Sequence, residues 1–575
     1  MQGKNAAQEK LKYQKADSNK WILRLLVLVG ICLNIKYIFV DFGIDSEFQI
    51  SMAYRLATGD IMFKEMWEAY QMSAFLCAFL IKIYLAVFKT TTGIVLYLQL
   101  IGVLIDGAIA YLLYRVVNKY SGNSMVATVM GWVFFVVSPK DVPLPEYANM
   151  QIWFSMLLCI SIYLYYKTGR KVLVIMAAFC LCGAVLAYPS CMIMLIGVGY
   201  LFLRNRQKKE LFVFSGICFA CGLLYLMGMF RHITPDEFLV FFENMLALET
   251  SHSAGVLEKF LLYGKDAVII LAIFAVVYVI SYGVCCLVVR KKSKILTDMI
   301  FLLFILAVSF LAVFNVQDHT RYGYSLVFLA VVIIGIRYGK MLSDDMRFLY
   351  LCGTVLSVLN FLSTLLLTDL VLIGSVPYLL IAVIMAFLPI SAALNDPEVK
   401  AVDKKKVYTN LKRVVLVGGI LLLVFRNVYL IRPMYQQTST ILDIRGIVKQ
   451  GPAIGIVSEY MGPYMQNESV EEWKEYIEEG SNIWIIGDPI DTLGYLYLDT
   501  KVSAPSTVCT PGYNESVLKY FEMNPHKYPD VVIASCWYGE MNIELVRNGW
   551  ILEWLEEEFQ PSDSVDGKYW RYYFK

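Results

Sequence analysis

The sequence predicts a polytopic α-helical membrane protein with a C-terminal extracytoplasmic α/β domain, and three observations point there. Of the 575 residues, 58% are hydrophobic and only 17% charged, with a mean hydropathy of +0.58, too apolar for an ordinary soluble chain. Apolar stretches of spanning length recur from residue 21 to residue 430, and Lys and Arg gather in alternate connections between them. The composition then switches. Residues 433–575 hold ten basic and twenty-two acidic side chains, a net of −12, whereas residues 1–432 sum to +14. The overall +2 therefore joins two regions in different surroundings, and it lacks the clustered basic excess of a nucleic-acid binder.

Taken in order, residues 1–20 form a basic cytoplasmic N-terminus (Lys4, Lys10, Lys12, Lys15, Lys20) ahead of the apolar stretch 21–40. No small-residue cleavage site follows, which reads as an uncleaved signal anchor and puts residue 41 outside. The stretch 73–88 poses a parity problem, because counting it as a crossing would invert every later segment. If 94–117 is the next crossing instead, Arg115, Lys119 and the basic loops at 167–171, 204–209, 290–294, 337–347 and 399–413 all fall inside, as positive-inside asymmetry requires. Residues 73–88, short and interrupted by Lys82, are thus expected to lie as a helix on the outer surface. The remaining spans are 124–139, 150–166, 172–188, 189–203, 211–230, 267–289, 296–315, 324–336, 348–367, 371–391 and 413–430. The run 172–203 is too long for one helix and turns at Tyr188-Pro189-Ser190. Thirteen crossings result. An odd total leaves the C-terminal region outside a plasma (inner) membrane whose cytoplasmic side holds the N-terminus.

Three domains follow: the N-terminal segment 1–20, a transmembrane body 21–432 with its first outer loop at 41–93, and a soluble region 433–575. In the last, strand-like runs at Ile454–Val457, Ile483–Ile486, Tyr495–Leu498 and Val531–Ala534 alternate with helical stretches at Val470–Glu479, Glu515–Met523 and Met541–Arg547. Ser469 and Glu472 have capping-box spacing. No GxGxxG, Walker A or nucleophile-elbow pattern occurs there. Eleven of the thirteen cysteines sit in apolar runs, where the thiol behaves as a small hydrophobe. Cys509 and Cys536 lie in the polar region, where an oxidising exterior would let them pair.

The first outer loop holds the densest chemistry: Asp41, Asp45, Glu47, Gln49, Arg55, Gly59-Asp60, Trp67, Tyr70 and Gln71. Carboxylates fixed at a helix end, at the water boundary, serve as general bases without the cost of burial in lipid. An outer loop also tolerates acids that have no function. The next outer connection offers Asp141, Glu146 and Asn149, either functional or part of a proline-stiffened turn. Residues 317–324 place His319, Arg321 and Tyr322 at the outer end of a helix, where Arg can grip phosphate bidentately or Tyr and Arg can anchor the interface. Asp106 lies mid-span and must find a partner inside the bundle, or else mark an ion path.

The order of features in loop 41–90 resembles the lipid-dependent glycosyltransferases of the GT-C class, which include the aminoarabinose transferases and protein O-mannosyltransferases. In that class a first helix ends in an acidic motif, followed by an amphipathic helix ending in Gly-Asp, a Trp- or Pro-bearing turn and a second surface helix. Asp45-Ser46-Glu47, Gly59-Asp60, Trp67 to Ser73 and residues 74–88 keep that order, although the Pro-Pro of many relatives is missing. The resemblance implies a polyprenyl-phosphate-linked sugar as donor and an envelope glycan, lipid or protein as acceptor, with inversion at the outer face. Asp45 or Glu47 would be the base. Asp141 and Glu146 would be further catalytic acids, orienting the acceptor or helping to hold a divalent metal ion. Asp41, Gln49, Arg55, Trp67, Tyr70, Gln71, Asn149, His319, Arg321 and Tyr322 would bind substrate. The competing expectation is a transporter or flippase of a lipid-linked sugar or small solute, a class that commonly shows internal repeats; no repeat between the halves is evident.

Overall fold

The computed structural model describes every residue except 1, 41–42, 69, 140–141, 251–255, 290–292, 315–321, 368–369, 396–404, 432–438, 460, 487–488, 509–515, 538–539, 542–548 and 560–563. The described residues ahead of the C-terminal region form the helices α1 (Gln2–Val40), α2 (Ile44–Thr58), α3 (Ala74–Phe88), α4 (Ile94–Ser121), α5 (Ser124–Val136), α6 (Tyr147–Thr168), α7 (Val172–Ala187), α8 (Met194–Arg204), α9 (Lys208–Met229), α10 (Pro235–Thr250), α11 (Val256–Val289), α12 (Lys294–Val313), α13 (Tyr322–Tyr338), α14 (Asp344–Leu367), α15 (Leu372–Ser375), α16 (Leu380–Leu394) and α17 (Lys405–Tyr429). Among the described residues, ten helical segments are long and apolar enough to cross a membrane, and the shorter apolar helices α5, α7 and the Pro189–Arg204 stretch accompany them. This is a multi-pass helical membrane protein. The chain turns at Pro189, where a 3-10 segment (Pro189–Ile193) separates α7 from α8, because Pro has no N–H to continue the α-helix.

Contacts sort the connections into two ends of the bundle. At one end Lys167 pairs with Asp345, Arg337 pairs with Asp298, and Tyr166 packs on Phe348; Arg204 and Lys208 border the α8–α9 turn there, so this end is basic. At the other end Tyr70 stacks on Tyr147 and Tyr188, the Lys36 ammonium donates to the Leu430 carbonyl, and Asn427 Nδ2 donates to Val136 O. Helix α3 is tied to the C-terminal region at both of its ends. Ahead of it Trp67 N–H donates to Pro505 O, and behind it Thr91 Oγ1 donates to Leu496 O while Gly93 N–H donates to Gly451 O. Its main packing partner is α2. Ala74, Cys77, Ala78 and Ile81 are buried, while Phe79, Val87 and Phe88 face outward.

Close backbone approach positions the second outer connection. A Cβ on Gly102 of α4 would lie 1.7 Å from the Pro143 carbonyl oxygen, so only glycine lets the 142–146 turn settle against this helix. Asp106, one turn further along α4, accepts from Trp153 Nε1 at 2.6 Å and is 8% exposed. The mid-span carboxyl is thus a partner within the bundle.

The C-terminal region contains a mixed sheet in the order β6 (Lys501–Val502), β5 (Asn482–Ile486), β7 (Val531–Trp537), β10 (Trp570–Phe574), β9 (Ser564–Asp566), with β8 (Glu540–Met541) on β7. Strands β5, β6 and β7 run parallel and β10 returns antiparallel. Register sets Ile485, Ile533 and Tyr572 on one face and Trp484 and Val532 on the other, since side chains alternate across a strand. Helix α18 (Met461–Tyr476) covers the first face through Trp473 on Trp570 and Tyr476 on Tyr572. Helices α19 (Ser516–Met523) and α20 (Gly549–Glu558) cover the second through Phe521 and Trp554 on Trp484.

Three expectations for this region are corrected. Residues 489–496 form a 3-10 turn rather than a strand starting at Tyr495; Thr91 and Ser51 of the first loop bond to its carbonyls. Helix α18 begins at Met461, so Ser469 and Glu472 lie inside it and do not cap it; they accept from Trp570 Nε1 and Tyr572 OH. Met541 belongs to β8. The final strands 564–574 were not anticipated. Cys509 lies outside the described residues, and the eleven cysteines of the apolar runs are free thiols.

Gly102→Ala is expected to displace the 142–146 turn at a cost of about 1–3 kcal/mol, lowering the thermal midpoint of the detergent-purified protein. An unchanged midpoint would show that the turn is not held by this contact.

Candidate functional site

The first loop is built around one buried cation. Arg55, in the last turn of α2, is 1% exposed. Its Nε donates to Asp60 Oδ2 at 2.7 Å, Nη1 to Glu68 Oε1 at 2.9 Å and to Pro505 O at 3.3 Å, and Nη2 to the Glu65 carbonyl and to Tyr520 Oη, the latter at 3.2 Å. Burial alone would lower the guanidinium pKa, but Glu68, Tyr520 and Asp60 outweigh it and hold the group charged, well above its ordinary value. The C-terminal region reinforces the same turn. Lys527 pairs with Asp60, His526 with Glu65, Thr507 N–H donates to Glu68 Oε1 at 3.1 Å, and Asn524 Nδ2 donates to Lys64 O at 2.9 Å. Trp67 sits edge-on to Tyr520 with 5.2 Å between ring centroids.

Several residues expected to bind substrate also hold this framework together. Arg55 and Trp67 fasten the loop to the C-terminal region, with the Trp67 indole donating to Lys64 O. Gln49 is fully buried and exchanges hydrogen bonds with Ser73, donating to its carbonyl and accepting from its hydroxyl. Gln71 accepts from Phe63 N–H and donates to Glu68 O. Asn149 Nδ2 donates to Val142 O and Leu144 O, while its Oδ1 accepts from Ser138. Buried amides and guanidinium groups must find partners, and here the polypeptide supplies them. Asp41, Asp141, His319 and Arg321 lie outside the described residues. Tyr322 opens α13.

Asp45, Glu47, Tyr70 and Glu146 meet the expectation of a gathered site more closely. Asp45 and Glu47 occupy the first turn of α2, and Glu146 is the N-cap residue of α6. Two helix N-termini, each favouring negative charge, thus present carboxylates at one end of the bundle. Asp45 and Glu146 both lie within electrostatic reach of Tyr147. Tyr70, Tyr147 and Tyr188 form a triangle of roughly parallel rings, with Tyr70 5.2 Å from Tyr147 and 5.6 Å from Tyr188 and the latter two 6.3 Å apart, and Tyr378 lies within electrostatic reach of Tyr188. The two α2 acids differ: Glu47 is fully buried, whereas Asp45 is only half-buried.

Beneath the tyrosines runs a polar cluster that the sequence reasoning missed. Gln151 Nε2 donates to Asn360 Oδ1 at 2.7 Å and to Thr364 Oγ1 at 3.2 Å, and Ser190 bonds to Ser363. The i, i+4 spacing of Asn360 and Thr364, with Ser357 a turn earlier in an apolar helix, was the available signal. Arg426 of α17 was also missed. It is 2% exposed, and its guanidinium lies 4.2 Å from the centroid of the Tyr324 ring, a cation–π placement. Phe63, held at φ 65°, packs against Phe238 and Phe241 of α10, and Lys64 pairs with Glu237 there, so α10 is seated on the first loop. Among the described residues no group of three or more His, Cys, Asp or Glu is placed to hold a metal ion. No family model matches this chain, and no curated protein matches it.

Arg55→Met is expected to cost about 3–5 kcal/mol, because it leaves the Glu68 carboxylate buried without its counter-ion, and to make the 60–68 turn sensitive to limited proteolysis. The double variant Arg55→Met/Glu68→Leu should recover part of that loss. A double variant no more stable than Arg55→Met would refute the ion pair as the cause.

Proposed function

We propose that the protein is a membrane glycosyltransferase that moves a sugar from a polyprenyl-phosphate donor to an envelope glycan, lipid or protein on the outer face of the plasma membrane. The observation that carries this proposal is the meeting of Asp45 and Glu146, from two helix N-termini, beside the Tyr70–Tyr147–Tyr188 group at the end of the bundle that bears the C-terminal region. Supporting it, α3 is fastened to that region before and after its length, as a surface helix would be. In this reading nine other long apolar helices, the shorter α5, α7 and α8, and α17 make the thirteen crossings, with the basic end cytoplasmic and the acidic region outside.

The half-buried Asp45 is the better base of the α2 pair and Glu47 a positioning residue. In a single displacement Asp45 takes the proton of the acceptor hydroxyl as the acceptor oxygen bonds to the anomeric carbon. The anomeric C–O bond breaks on the opposite face, and its electron pair leaves on the polyprenyl phosphate. A phosphate leaving group needs charge stabilisation more than a proton. Arg426 and Lys36 are cations described at this end, and His319 and Arg321, which lie outside the described residues, are the further cations this reading would use. Glu146 and the tyrosine hydroxyls offer polar groups to orient the acceptor. A divalent metal ion remains part of the proposal through Glu146 and Asp141, where it would neutralise the departing phosphate.

The expected outcome for Asp45→Asn is a loss of transfer of roughly 100- to 10,000-fold, the range for removing a general base, with normal insertion and yield. Glu47→Gln should lose less. Mass spectrometry of lipid-linked sugars in cells should show one donor accumulating in the Asp45→Asn strain as one envelope modification disappears. Full transfer in both variants and in the double variant would refute the assignment, and donor movement across liposomes without transfer would favour a flippase.

A further inference from the structure

An apolar cavity lies away from the acids, in the bundle between α5, α12, α13, α16 and α17, with a volume of about 390 Å³. Its wall is hydrocarbon along most of its length, formed by side chains such as Val129, Leu302, Phe387 and Ile420. Polar side chains gather at the basic end of the bundle, where Asn123, Asn395 and Lys412 line it. Such a one-sided arrangement suits an amphiphile entering tail-first from the cytoplasmic leaflet. Helix α17 also carries two consecutive glycines at its middle, which a helix interior disfavours. A Cβ on Gly419, which lines the cavity, would meet nothing within 4 Å. The missing side chain leaves room for something else.

We infer that this cavity binds one acyl chain of an anionic phospholipid, with the phosphate at Lys412. The wall decides the tail: a space lined by hydrocarbon along most of its length, with its polar side chains gathered at one end, suits a single acyl chain lying along it. Charge decides the headgroup. Lys412 stands at the end where Lys167, Arg204 and Arg337 also lie, and basic groups on the cytoplasmic side attract anionic lipid. Occupancy would bear on the candidate site through α17 itself. Its far end sets Arg426 on Tyr324, bonds Asn427 to Val136 O and continues into β1 (Leu430–Ile431), the start of the C-terminal region. A filled cavity buttresses that helix along the face that bears Gly419.

The test uses the full-length protein purified in mild detergent and exposed to equimolar palmitoyl-oleoyl phosphatidylglycerol and phosphatidylcholine, read by native mass spectrometry. The wild type should retain one phosphatidylglycerol per chain, at least fivefold over phosphatidylcholine. Lys412→Gln should keep one lipid but lose the preference. Gly419→Phe should lose retention while its gel-filtration profile and thermal midpoint stay those of the wild type. As an independent measure, phosphatidylglycerol brominated on its acyl chain should quench tryptophan emission in the wild type, and Trp132→Phe, which removes the indole lining the cavity, should remove that quenching component. Equal retention of the two phospholipids, retention of a polyprenyl phosphate in their place, undiminished retention by a folded Gly419→Phe, or identical quenching in wild type and Trp132→Phe would each overturn the inference.

Discussion

Arg55 is the interaction on which the first loop depends. A guanidinium presents five N–H donors in a fixed fork, and here they reach Asp60, Glu68, the Glu65 and Pro505 carbonyls and Tyr520. These partners come from two parts of the chain more than four hundred residues apart. Burying a cation is costly unless every donor is matched, so the turn after α2 has one stable arrangement only when the C-terminal region is docked. The same matching fixes the far end of α2, and through the helix it fixes Asp45 and Glu47 at the near end. The acidic region thereby does more than hang from the last helix, because it completes the fold of the loop that bears the candidate acids.

From that constraint the site follows in two layers. Asp45 at the start of α2 and Glu146 at the start of α6 lie near the tyrosine group, and below it Gln151, Asn360, Thr364, Ser190 and Ser363 hydrogen-bond to one another inside the bundle. Hydrogen bonds of this kind tie α6, α14 and the α7–α8 turn together where small shifts would misplace Tyr147 and Tyr188. The α10 helix adds a lid-like contact through the Phe63 cluster.

Much of this architecture was legible because its causes are local. Apolar length marked the helices, Tyr188-Pro189 marked the turn between α7 and α8, and charge parity singled out residues 73–88, a helix tied at both ends to the C-terminal region and also long and apolar enough to cross a membrane. Strands β5 and β7 were readable as short runs of branched and aromatic residues. Less legible were the partners: nothing in the sequence of the first loop reveals that Ser73 bonds to Gln49, or that Tyr520 and Pro505, more than four hundred residues away, bond to Arg55 and Trp67. The capping box at Ser469 failed for the same reason: its side chains serve β10, a hundred residues away. Asn360 and Thr364 were hidden by the apolar length of α14, although their spacing was visible.

The central claim, that the loop acids drive glycosyl transfer rather than transport, is tested most directly with the purified full-length protein in nanodiscs, supplied with a panel of polyprenyl-phosphate sugars and an envelope extract. The measurement is released polyprenyl phosphate against glycosylated acceptor by mass spectrometry. The account predicts that one donor is consumed with equal amounts of the two products, and that the Asp45→Asn protein, with its C-terminal region still docked, forms neither. Donor left intact in every reaction, or turnover unchanged in Asp45→Asn, would contradict it.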